Sequence, residues 1–147
     1  LAALAVLTLG LDRDRAGAAQ ADAGAFTQAR LDGLLAQGKP VFVNMTAAWC
    51  ITCQVNERAA LRSETVQDGL KARGITYLKG DWTNQNPEIT RLLERHGRSG
   101  VPLYLLYAGS GEPAVLPQIL TPSLVMEALQ AVPLAATDRS AALTPER

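Results

Sequence analysis

The chain has 147 residues, enough for one domain with a real core and short for two. Apolar residues make up 48% and charged residues 19%, and 14 Lys plus Arg balance 14 Asp plus Glu. That neutral balance, without a basic stripe, argues against binding nucleic acid by phosphate neutralisation.

Residues 1–11 (LAALAVLTLGL) are apolar and uncharged. A spanning helix needs roughly 20 apolar residues, so this run is too short to cross a membrane alone. It reads as the end of a transmembrane helix whose start is missing, as the apolar part of a signal segment, or as a buried helix. Asp12-Arg13-Asp14-Arg15 follows instead of small residues, against the signal segment. The run lacks polar positions at helical spacing, against the buried helix. The transmembrane remnant is the favoured reading. Residues 12–25 are rich in Ala, Gly and charge, and read as a linker.

Phe26, Leu31, Leu34 and Leu35 fall on roughly one helical face, and Gly38-Lys39-Pro40 ends that helix. Residues 41–45 (VFVNM) read as a buried strand. Cys50 and Cys53 follow, and then a stretch free of Gly and Pro to Leu61 that reads as helix. A weaker helical stretch over 63–73 closes at Gly74, and 75–78 is a strand candidate. Asn86-Pro87-Glu88 carries the signals of a helix start, and Gly97 ends that helix with Arg95 and His96 in its last turn. Residues 101–107 (VPLYLLY) form a strong strand pattern, and Gly109-Ser110-Gly111 allows 114–116 to pair back as a hairpin. Thr121-Pro122 opens a last helix through Ala131, with Leu124, Val125, Ala128 and Leu129 inward. The expected domain covers 26–132, and 133–147 reads as a flexible tail. The element order implies an α/β fold: a mixed central sheet with helices on both faces.

Cys50 and Cys53 are the only cysteines, three apart, just after a strand. With Cys50 at a helix start, the two side chains share one face about a turn apart, which suits a disulfide. The unpaired N–H groups and partial positive charge of a helix start favour thiolate at Cys50. Cys50 is therefore expected to attack, and the deeper Cys53 to resolve the mixed disulfide. Two Cys and a distant His96 are too few for a zinc site. Gln54, not His, follows Cys53, so attachment of c-type haem does not fit. A Cys–His hydrolase would not need the second cysteine. His96 itself reads as complementing its helix end.

Trp49-Cys50-Ile51-Thr52-Cys53 after a strand, with Gly100-Val101-Pro102 opening a later one, resembles the thioredoxin fold. The likeness is closer to the C-terminal periplasmic domain of the DsbD/ScsB transmembrane thiol:disulfide interchange proteins. It rests on Gly38-Lys39-Pro40-Val41, WCITCQVNE (49–57), GDWTN (80–84), GRSGVPLYLLY (97–107) and LPQILT (116–121), and covers about 38–131. The resemblance implies a protein-disulfide reductase that needs no cofactor beyond its own Cys50–Cys53 pair. It implies a periplasmic domain tethered to the inner membrane, a role in supplying electrons for work such as cytochrome c biogenesis, and a preceding membrane domain. The partners implied are that membrane domain's cysteines and periplasmic thioredoxin-like or disulfide-carrying proteins. Val101–Pro102 would be a cis bond beside the disulfide, with the Val101 backbone pairing to a substrate strand. A strand-start proline is the plain alternative. Trp49 would cover the site and offer a docking surface, or else serve as a core aromatic. The family's usual acid six residues before the first cysteine is Asn44 here, which takes no proton. Its second acid is matched by Glu57, expected to accept the proton of Cys53; the alternative is an exposed helix glutamate. Two rival functions remain: a disulfide oxidase or isomerase, and a thioredoxin-like binding module without redox work. The uncharged Ile51-Thr52 pair adds nothing to hold the Cys50 thiolate, which favours a reducing couple.

Overall fold

The structure, a computed structural model, describes residues 23–135. The strands are β1 (Ala23–Ala25), β2 (Val41–Thr46), β3 (Thr76–Asp81), β4 (Leu103–Tyr107) and β5 (Ala114–Val115). They form one sheet in the order β1-β3-β2-β4-β5. β3 runs parallel to both β1 and β2, β4 runs antiparallel to β2, and β5 closes the far edge as a hairpin with β4. The mixed sheet expected from the element order is thus present.

The helices are α1 (Gln28–Ala36), α2 (Ile51–Asn56), α3 (Glu64–Ala72), α4 (Pro87–Arg95) and α5 (Pro122–Leu129). Their starts follow from local chemistry: Thr27, Ser63, Asn86 and Thr121 each accept a hydrogen bond from a backbone N–H of the first turn. α2 runs directly into a π-helical turn (Glu57–Leu61), in which Arg62 N–H reaches back to Glu57 O at 2.8 Å. Such turns carry an extra residue and recur at functional sites.

β2 is central, and all six of its residues are buried. On one face Val41, Val43 and Met45 join Leu78, Leu103 and Leu105 under α1 and α4, which supply Leu31, Ile89, Leu92 and Leu93. On the other face Phe42 joins Tyr104 and Leu106 under Ala60, Leu61, Val66, Leu70, Val125 and Leu129. The apolar clusters on both sides of the sheet are what hold it between its helices.

Two boundaries differ from those expected. Ala23–Ala25, read as the end of a linker, is an edge strand in parallel register with Tyr77, Leu78 and Lys79. Small residues score poorly as strand formers, and the neighbouring edge of β3 overrides that local preference. Beyond residue 132, Ala135 N–H donates to Ala72 O at 2.9 Å, so the first residues of the expected tail dock on α3. The readings of 1–11 as a membrane remnant, of 12–22 as linker and of the tail beyond 135 lie outside the described residues. Among the described residues no helix is long and apolar enough to cross a membrane.

Candidate redox site at the start of α2

β2 ends at Thr46, and a short loop turns the chain straight into α2, placing Cys50 as the cap of that helix. Cys50 and Cys53 are joined in a disulfide with their Cα atoms 5.2 Å apart. Cys53 N–H points at Cys50 Sγ at 3.2 Å. A backbone donor so placed holds negative charge on that sulfur when the bond is reduced. Cys50 retains 7% exposure and Cys53 none, so a partner can reach only the first sulfur. Both pack with Ala47 and Val101. The Val101–Pro102 peptide bond is cis and enters β4 beside the disulfide.

The rim is apolar. Trp49 is 54% exposed and Ile51 79%. Trp49 is not a core aromatic: its indole donates to Thr83 O at 3.1 Å and its ring lies 5.9 Å from that of Trp82. Thr83 Oγ1 also accepts from Ala48 N–H at 2.9 Å. Thr83 in turn donates to Asp81 through both hydroxyl and backbone N–H. The hydroxyl first, then the backbone donor, holds the Asp81 carboxyl below its usual range. This loop after β3 fixes Trp49 against the site.

Glu57 is buried, not an exposed helix residue, at 6% exposure. Its carboxylate pairs with Lys79 Nζ at 2.6 Å and with Arg62 at 3.5 Å. Asn44 Nδ2 donates to Glu57 Oε1 at 3.5 Å and to the Tyr77 hydroxyl at 2.7 Å. Asn44 and Lys79 face each other across the β2–β3 register. The position read as lacking an acid therefore touches the acid supplied by the helix one turn beyond Cys53. Burial, above all, pushes the Tyr77 hydroxyl pKa up, and the Glu57 charge adds to it. On the other side Asn56 donates to Tyr104 OH and Gln118 O and accepts from Leu120 N–H, pinning the segment after β5 to α2.

The sequence by itself assigns no role to Tyr77, Lys79, Arg62, Asn56 or Thr83. Lys79 and Tyr77 carry no local signal, because only the parallel register brings them to Asn44. Thr83 and Asn56 lie in the segments GDWTN and WCITCQVNE that carried the resemblance. His96 sits at the end of α4, away from the cysteines, and burial holds its pKa below the ordinary value. Among the described residues no group of side chains is arranged to hold a metal ion.

Comparison with known proteins gives a consistent picture. The profile of a thioredoxin-like family matches residues 22–109. The thiol:disulfide interchange protein DsbD 1 of Pseudomonas aeruginosa is 41% identical over 90 residues, 58% of this chain but 15% of that protein. DsbD of Klebsiella pneumoniae is 35% identical over 86 residues, 57% of this chain and 14% of that protein. The chain thus corresponds to a small part of these relatives. Among solved structures, the oxidised DsbD C-terminal domain of Neisseria meningitidis matches with a TM-score of 0.55 at 24% identity, covering 71% of this chain and 95% of that domain. A thioredoxin from Thermus thermophilus matches with a TM-score of 0.59 at 19% identity, covering 74% of this chain and 85% of that one. At those identities the structures speak for the fold alone.

Proposed function

The chain belongs to the thioredoxin-like family, and from that premise we propose that it is a thiol–disulfide interchange domain working as a protein-disulfide reductase. The observation that carries this reading is the Cys50–Cys53 disulfide at the head of α2, with one sulfur reachable and the other sealed. In the reduced domain the Cys50 thiolate attacks a partner's disulfide and forms a mixed disulfide. Cys53 loses its proton and attacks Cys50 Sγ. The partner's sulfur leaves as a thiolate, two electrons have passed to the partner, and the Cys50–Cys53 bond is restored.

Each neighbour has a part. Trp49 and Ile51 give the partner an apolar landing surface, and the Val101 backbone beside cis Pro102 pairs with its extended segment. Glu57 takes the proton of Cys53, and Asn44 orients Glu57 without taking a proton itself. The likeness to DsbD supports a place in the bacterial periplasm, tethered through residues 1–11 and a linker that ends before β1. Electrons would arrive from cysteines of an adjoining membrane domain and leave to periplasmic disulfide-carrying proteins, with no cofactor besides the cysteine pair.

Cys53→Ser, made in the protein as the cell produces it, tests this. The variant can form the mixed disulfide and cannot resolve it, so partners should accumulate on Cys50 and be identified by mass spectrometry after non-reducing capture. If Cys50 carries no protein adduct, the interchange reading falls. If the adducts are proteins that receive disulfides from this chain, the oxidase reading replaces the reductase one.

A further inference from the structure

Among the described residues, five large apolar side chains are exposed, and four of them gather around α2: Trp49, Ile51, Val55 and Ile119. Trp49 and Ile51 form the rim of the disulfide. Val55 and Ile119, at 50% and 66% exposure, belong to no part of the site described above. Single exposed apolar residues are ordinary, but neighbouring ones mark an interaction surface.

Val55 stands four residues past Ile51, so the two share one face of α2, about 6 Å apart along its axis. Ile119 comes to that helix from the loop between β5 and α5. Asn56, next to Val55 and 1% exposed, holds the loop on both sides of Ile119. Its Nδ2 donates to Gln118 O at 2.7 Å, and its Oδ1 accepts from Leu120 N–H at 3.0 Å. Leu116 and Leu120 anchor the same loop in the core, while the Ile119 side chain is left in water. An apolar residue fixed from both sides has little backbone freedom left to lose on contact, which favours binding.

The exposed charges on these two segments have one sign. Residues 49–63 carry Glu57, Arg58 and Arg62, and residues 113–126 carry no charge. Glu57 is buried in its ion pairs, which leaves the two arginines. Arg58 Nε reaches back to Gln54 O at 3.4 Å, which keeps its guanidinium over the last turn of α2. Among the described residues Arg58 has no carboxylate partner. The exposed Asp81 lies at the opposite end of the rim, bonded to Thr83 beside Trp49.

We propose that Val55 and Ile119 continue the Trp49–Ile51 rim into a second docking flank, whose occupant is a folded disulfide-carrying protein with an apolar patch bordered by carboxylates. This rests on the interchange reading. An extended segment paired with Val101 meets the start of α2, where Val101 packs with both cysteines. Val55 and Ile119 stand at the other end of that helix, so only a partner with breadth covers both. The carboxylates of such a partner face Arg58 and Arg62.

Single-turnover oxidation of the full chain, reduced beforehand, tests the flank with two probes. One is a short uncharged peptide closed by a disulfide, and the other is insulin, a folded acidic protein with disulfides. Val55→Ser together with Ile119→Ser should raise the half-saturating concentration of insulin by about 10-fold or more and keep the limiting rate, since two apolar anchors leave the contact. The peptide, which reaches only the start of α2, should lose far less. Arg58→Gln should slow the reaction with dilute insulin by about 3-fold at low salt, and by less as salt rises. Amidating the insulin carboxylates should raise its half-saturating concentration with wild type and hardly at all with Arg58→Gln. An unchanged insulin curve in the double variant overturns the flank. An equal loss with both probes also overturns it, since Val55 and Ile119 would then act on the redox site itself. An amidated insulin that reacts like the native one overturns the acidic partner. A dimer of wild type in sedimentation that the double variant lacks would give the flank to a second copy and overturn the proposal. If wild type reduces neither probe, the interchange reading fails, and the flank with it.

Discussion

The two faces of β2 are built from the same six buried residues and are chemically opposite. Val41, Val43 and Met45, each at 0% exposure, face a mainly aliphatic layer whose polar-bearing side chains are the aromatics Trp82 and Tyr107. Phe42, Asn44 and Thr46 share the other face, where Phe42 and Asn44 meet the π turn that follows α2, and beyond Phe42 that face is polar. An unsatisfied buried polar atom costs about 1–3 kcal/mol, so a strand optimised only for stability would carry apolar residues at 44 and 46 as well. The polar positions lie at the end of the strand that feeds the cysteines. What separates the faces is the buried Glu57 carboxylate that Asn44 meets on one of them, and the following changes break or sharpen that division.

The largest effect is expected on the dry face. Met45 lies against Gly80, where an added Cβ would stand 2.3 Å from the Met45 sulfur, so the space is filled. Met45→Ala should cost about 2–5 kcal/mol by urea unfolding. Resolution of the mixed disulfide, measured well below the unfolding midpoint, should keep its pH profile. A shifted profile would mean that the dry face also sets the chemistry.

On the polar face the order reverses. Glu57→Gln should slow resolution by about 10-fold or more, on the order of 1.4 kcal/mol in the barrier, and leave the attack by Cys50 nearly unchanged. Asn44→Asp in that background should restore part of the rate, since it puts a carboxylate where Asn44 already reaches the Glu57 position at 3.5 Å. Introduced beside an intact Glu57, the same change crowds two carboxylates into one buried place and should raise the pKa of one of them, visible as a second inflection in the profile. If resolution in Glu57→Gln is normal, Glu57 serves only its ion pairs with Lys79 and Arg62.

The dry face was readable from the chain, and the polar face only in part. Val41, Val43 and Met45 stand in a run of strand formers whose burial any packing of the domain would require. The cysteines were readable because their chemistry depends on neighbours three residues away or fewer, and cis Pro102 through the resemblance. Asn44 and Glu57 were singled out separately, through the resemblance. That they touch, and that Lys79 and Tyr77 join them, depends on the register of two parallel strands joined by a long crossover, which local pattern does not encode. β1 escaped for a related reason: Ala-Gly-Ala has no strand preference of its own, and it is paired only because β3 presents a free edge. The π turn at Glu57 likewise leaves no trace in a stretch of ordinary helix formers.

The smallest expected effect separates a buried polar network from an exposed one. Thr83, on the loop after β3, joins Asp81, Ala48 and Trp49 at the rim. Thr83→Val removes the acceptor for Ala48 N–H and the hydroxyl donor to Asp81, while Thr83 O still holds the Trp49 indole. These bonds lie near solvent, so their loss should cost about 1 kcal/mol or less. Its pH dependence has a definite sign. The Asp81 pKa is lowered in the folded chain, chiefly by the Thr83 hydroxyl, so its contribution is present above the unfolded value, about 3.9, and disappears as pH falls through the folded one. The stability gap between wild type and Thr83→Val should therefore be widest near neutral pH and narrow below about pH 4, as followed by urea unfolding at several pH values. The rate of mixed-disulfide resolution should not change, because no atom of the Glu57 group is touched. A gap independent of pH would show that the Ala48 contact alone accounts for it. A slower resolution would extend the proton-handling machinery from the buried face of β2 out to the rim that holds Trp49.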